Sequence, residues 1–148
     1  SLRELIQPFN YSWQQSRFQY FILWPILEWL SGNKTKAQQT LAKIAQENRY
    51  KLEQKLWYEI QFLLGRISEN VFLNQPSRYQ IDLRLLLFKG IKYDLNNDRQ
   101  NAKKYYDQFV KSNMISHLDT NDDNFNWITR VFIQWRIGSE SMGDDPSM

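Results

Sequence analysis

The sequence predicts an all-α chain of about six to eight helices. Three observations carry that expectation. Apolar residues recur at three- and four-residue spacing from Leu2 to Ile137. No stretch alternates apolar and polar residues cleanly enough to read as a strand. The interruptions are those of helix ends, with Gly32-Asn33, Pro76-Ser77 and Asn96-Asn97 each breaking a helical-period run.

Taken in order, Leu2, Leu5, Ile6 and Phe9 predict a short leading helix or strap, with Pro8 near its end. The stretch Ser12 to Ser31 carries Trp13, Phe18, Phe21, Ile22, Trp24, Leu27 and Leu30. Pro25 has no N–H to donate, so this helix should kink or start afresh there. Gly32-Asn33 reads as a stop and a new N-cap. From Lys34 to about Asn48, Ala37, Leu41, Ile44 and Ala45 share one face. A third helix is predicted from about Tyr50, with Leu52, Leu56, Tyr58, Ile60, Leu63 and Leu64 mostly in phase and Gly65 weakening its end. Ile67, Val71, Phe72 and Leu73 predict a shorter fourth helix or a continuation. After Pro76-Ser77 come a long helix to about Leu95, a turn at Asn96-Asn97 and a helix from Asp98 to about Asn113. The polar run His117 to Asn124 reads as a loop. A final helix carries Phe125, Ile128, Val131, Phe132, Trp135 and Ile137. Residues 1–137 form one domain on this reading, and 138–148, without apolar periodicity, a mobile tail.

Composition narrows the classes of function. At 148 residues with 42% hydrophobic and 16% aromatic content, the chain can bury a core and falls outside the disordered class. A mean hydropathy of -0.65 implies a very polar surface. The net charge is +3, with Lys and Arg spread along the chain, which favours a mixed surface over a nucleic-acid stripe. There is no cysteine, so disulfide and thiolate chemistry are excluded and a cytoplasmic address is expected. No secretory leader is visible after Ser1. The greasiest stretch, Phe18 to Leu30, is interrupted by Gln19, Pro25 and Glu28, which suits a helical core and not membrane insertion.

Catalytic signals are scarce. The single histidine, His117, falls in a polar loop and reads as a surface residue. Zinc lacks its usual nitrogen and sulfur ligands. Asp119, Asn121 and Asp123 begin with calcium-loop spacing, but Asn124 replaces the turn glycine and Arg130 the bidentate glutamate, so helix capping is the better reading. No phosphate-binding glycine loop occurs. Glu53, Glu59 and Glu69 read as solvated carboxylates near Lys or Arg. Neither an enzyme nor a cofactor is expected.

One local pattern points further. Gly90-Ile91-Lys92-Tyr93, followed by Ala102 and Tyr106, resembles the tetratricopeptide signature of small residue, aromatic, alanine and aromatic within about 34 residues. Upstream, Leu30, Gly32, Ala37, Leu41 and Ile44 match Leu95, Asn97, Ala102, Tyr106 and Phe109 at the same offsets, although Pro25 stands opposite Gly90. A middle unit, about Arg49 to Asp82, fits by length alone. The resemblance implies stacked antiparallel hairpins forming an α-solenoid. Gly90 and Ala102 would meet where two helices touch, with Tyr93 and Tyr106 filling the flanks. It further implies a concave surface lined by the first helix of each pair, at Lys51, Gln54, Tyr58, Gln61, Arg84, Leu87, Ile91 and Asp94. The cationic set with which some family members hold a terminal carboxylate is not reproduced.

The aromatic pairs Trp57-Tyr58 and Tyr105-Tyr106 add a separate expectation. Neighbours on a helix point about 100° apart, so one of each pair should face a groove, another chain or further protein. The function expected is a protein-protein interaction module holding a protein or peptide partner. An RNA-binding helical repeat, which the low net charge disfavours, and a ligand-sensing regulatory domain are the alternatives. Self-association stays open.

Overall fold

A computed structural model describes residues 19–48, 54–115 and 129–138. These residues are helical or lie in the turns between helices, and no strand occurs among them. The chain is therefore all-α, as its periodicity predicts. The leading helix, Lys51, the His117–Asn124 run with its calcium-like spacing, and residues 139–148 lie outside the described residues.

A π-helical turn, Gln19–Leu23, runs directly into α1, Trp24–Leu30. Leu23 keeps helical dihedrals (φ -64°, ψ -46°), so the helix is continuous across the junction. Pro25 sits in the first turn of α1, where a missing N–H is best tolerated, and the widened turn precedes it. Helix α2, Lys34–Asn48, folds back on α1 and buries Ala37, Leu41 and Ala45 against a core that includes Ile22, Ile26 and Trp29.

Helix α3, Gln54–Leu63, is followed by the short α4, Glu69–Leu73, whose N-terminus is capped by the Ser68 hydroxyl accepting from Val71 N at 3.2 Å. Phe72 of α4 lies between Phe62 (centroids 5.2 Å apart) and Phe88 (6.1 Å). Helix α5, Ile81–Leu95, and helix α6, Arg99–Ile115, form the most extensive contact among the described helices. Asp98 starts α6 by accepting from Asn101 N at 3.2 Å. Residues 129–138 form the last described helix, α7, which buries Phe132 and Ile133 and sets the Phe132 ring edge-on to Tyr106.

Three of the helix stops share one geometry. At Gly32 (φ 105°), Gly65 (φ 76°) and Asn97 (φ 62°) the chain turns left-handed. In each case that residue's N–H bonds back three positions and the next N–H bonds back five, as Arg66 N does to Gln61 O at 2.9 Å. This doubly bonded end occupies carbonyls that the helix leaves free. Glycine, or asparagine in its place, tolerates the positive φ that the turn needs.

Two structural details differ from the repeat frame. The ring pressed on Gly90 is that of Tyr106, because a Cβ there would lie 2.6 Å from Tyr106 Cδ1. Ala102, itself buried, lies one turn earlier on α6. The middle unit is also lopsided. Gly65 and Pro76 leave room for only the five residues of α4, so the second helix of that unit is half the length of α3, which packs also on α2 and α5.

Helix α5 is consequently the centre of the described fold. It touches α3 through Arg84 and Lys92, α4 through Phe88, α6 through Gly90 and Tyr93, and α7 through Asp94. Among the described residues no helix is long and apolar enough to cross a membrane.

Candidate functional site

The positions implied by the repeat resemblance divide into two groups. On α3, Gln54 is exposed and Tyr58 and Gln61 are half-buried, so this stripe reaches solvent. On α5, Arg84, Leu87, Ile91 and Asp94 are all buried and line no open groove. Leu87 and Ile91 belong to the apolar core. The two charged members are held inside by partners far along the chain.

Arg84 is 8% exposed. Its Nε donates to Glu59 Oε2 (3.3 Å) and its Nη2 to Gln75 Oε1 (2.8 Å). Its Nη1 donates to the carbonyls of Ser77 (3.1 Å) and Tyr79 (3.2 Å). Glu59, expected on a solvated face, is thus a buried counter-ion. Gln75 is itself fixed by donating to Phe72 O at 2.9 Å. The guanidinium spends its donors on α3 and on the loop before α5, where Gln80 is left-handed (φ 49°).

Asp94 is 1% exposed. Its Oδ2 accepts from the Tyr106 hydroxyl (2.9 Å) and from Arg136 Nε (2.7 Å), and its Oδ1 from Arg136 Nη2 (2.8 Å). Arg99 approaches Oδ1 at 3.4 Å and donates from Nη2 to Arg136 O at 2.9 Å. Burial, reinforced by the Asp94 charge and their hydrogen bond, raises the Tyr106 pKa well above the usual phenol value. The crevice beside this cluster is too narrow to admit a water molecule. Both clusters are satisfied, enclosed fastenings.

The open stripe of α5 runs one face over, through Asp82, Leu86, Lys89 and Tyr93, between α4 and α6. Tyr93 stacks on Tyr105 of α6, with centroids 5.5 Å apart and planes 3° from parallel. Lys89 Nζ lies 4.4 Å from the Tyr105 centroid and 3.2 Å from Glu69 Oε1. Lys104 Nζ lies 5.4 Å from the same centroid. Partial burial opposes the Lys89 charge, but bonding to Tyr105 and Glu69 outweighs it and leaves the pKa raised. Lys104 is exposed and meets no carboxylate among the described residues.

Tyr105 and Tyr106 divide as helix geometry requires, one half-buried on this face and the other in the core. Trp57 and Tyr58, edge to face at 5.0 Å, are both half-buried. Sequence reasoning did not single out Lys89 or Lys104. The signal that could have found the stripe is the helical spacing of Leu86, Lys89 and Tyr93. The large hydrophobics most exposed among the described residues, Val71 (44%) and Tyr79 (51%), sit on α4 and in the loop before α5.

No protein-family model, curated protein or solved structure matches this chain.

Proposed function

We propose that the chain is a non-catalytic, protein-binding helical module whose contact surface is the open face of α5 between α4 and α6. The observation that carries this reading is the Tyr93–Tyr105 stack with Lys89 and Lys104 set around it, within reach of solvent. Stacked tyrosines offer broad contact area at little rotamer cost, and their hydroxyls can bond a partner's backbone. The charged residues of α5 that face inward are consumed by the fold, which leaves this stripe to act. The antiparallel α5–α6 pair, with an aromatic seated on Gly90, keeps the tetratricopeptide-like reading open, and repeats of that kind hold protein segments. A cytoplasmic setting is proposed on the same footing, since a chain without cysteine suits a reducing compartment.

The test is affinity capture with two baits, the wild-type chain and a Tyr93→Ser/Lys104→Glu variant whose circular dichroism is unchanged. A protein retained by the first and lost by the second is the expected result. The same set of proteins on both baits would remove the function from this face.

A further inference from the structure

We infer that the segment held on this face is acidic, a partner polypeptide that presents carboxylates to Lys104 and Lys89 while lying across Tyr93 and Tyr105. This rests on the protein-binding reading above and names the chemistry of its partner.

The argument starts from a local imbalance of charge. Two ammonium groups stand 4.4 Å and 5.4 Å from the centroid of one phenol ring. Among the described residues a single carboxylate, Glu69, pairs with either of them, and it is committed to Lys89 at 3.2 Å. The ring attracts both ammonium groups without neutralising the charge of either. A carboxylate from outside completes the set.

The same geometry lowers the cost of taking one up. A lysine on open surface must lose rotamer freedom to hold a carboxylate. Here Lys89 is already held by Tyr105 and Glu69, and Lys104 lies beside the same ring. Contact with an acidic segment therefore needs little further ordering.

Nucleic acid offers anions too, but single strands are gripped chiefly by bases stacking on open aromatic faces. The Tyr105 ring already carries a parallel tyrosine and two ammonium groups, so a carboxylate-bearing polypeptide fits better than a phosphate-bearing strand.

Fluorescence anisotropy of the full chain tests this with three labelled probes. They are an acidic peptide of Glu, Leu and Ala, the same peptide with Gln for every Glu, and a polyuridine oligonucleotide. The acidic peptide should bind, lose affinity several-fold between about 50 and 200 mM salt, and exceed the Gln peptide by about tenfold. Lys104→Glu should cost about tenfold with unchanged helicity, and Lys104→Arg should keep the affinity. Equal binding of the Glu and Gln peptides would overturn the acidic chemistry and leave the protein-binding reading intact. Full affinity in Lys104→Glu would overturn the location. Preference for the oligonucleotide would overturn both readings. Binding of no probe would overturn the acidic chemistry, leaving the capture experiment to judge the wider reading. If the acidic peptide binds only after residues 139–148 are removed, the chain's own Glu140, Asp144 and Asp145 are the occupant, and the partner proposal falls.

Discussion

Asp94 and Arg136, 42 positions apart, meet in a two-point ion pair at 2.7 Å and 2.8 Å, with the carboxylate fully enclosed. That contact fastens the last described helix to the central one. Two parallel charge-assisted bonds between planar groups fix orientation as well as distance.

Arg136→Met should therefore destabilise the chain strongly. Truncating one partner of a buried pair typically costs about 3–5 kcal/mol, because the other charge stays behind. Arg99, 3.4 Å from Asp94, should hold the loss to the lower end of that range. Urea denaturation checks this. Restoring much of the loss by adding Asp94→Asn would identify the stranded carboxylate as its cause.

Gly90→Ala should also destabilise, by about 1–3 kcal/mol, since overpacking forces a shift in side chain or backbone. The added methyl would stand 2.6 Å from a buried ring that the Asp94 bond holds in place. In a Tyr106→Leu background the same substitution should cost much less, and a double-mutant cycle by chemical denaturation measures the coupling. Additive effects would place the clash elsewhere.

Arg84→Leu should destabilise the chain, because it leaves the buried Glu59 carboxylate without its guanidinium, and should loosen the loop before α5 in particular. The guanidinium grips the carbonyls of Ser77 and Tyr79, on either side of Arg78. Amide hydrogen exchange should rise most at residues 77–80 and least within α6.

Alkaline pH should unfold the chain sooner than its composition suggests. A raised pKa in the folded state contributes stability below the unfolded value, and that stability is lost as pH climbs through the folded value. Tyr106, from 10.0, and Lys89, from 10.5, are both shifted upward, so stability should fall above about pH 10. Loss of helicity should coincide with the appearance of tyrosinate absorbance from the buried ring. Tyr106→Phe should be less stable at neutral pH, having lost a bond to a charged acceptor worth about 1.5–3 kcal/mol, but its stability should decline less across the alkaline range.

How far the sequence could be read depended on the reach of each interaction. Helix ends were legible at Gly32, Gly65 and Asn97, because a left-handed turn is a property of a few consecutive residues. Helix α2 was legible in full, from Lys34 to Asn48, because its apolar stripe repeats without interruption. Glu59, Arg84 and Asp94 were misread as surface because charge is the local signal and burial is a long-range one. Their partners stand 25 and 42 positions away, and nothing in the intervening residues announces them. The open stripe was hidden for a related reason. Whether Lys89 meets Tyr105 depends on how α5 and α6 slide past each other, and that register is set by the Tyr106 ring seated on Gly90.

The enclosure of α5 bears on how such a chain can change in length. In an array whose units touch only their neighbours, a hairpin can be inserted or deleted without disturbing the others. Here a hairpin added between α6 and residues 129–138 would carry Arg136 away from Asp94 and strand a negative charge in the interior. An insertion at that point needs a substitute cation in the same act. The architecture is closed to piecemeal insertion between these two helices.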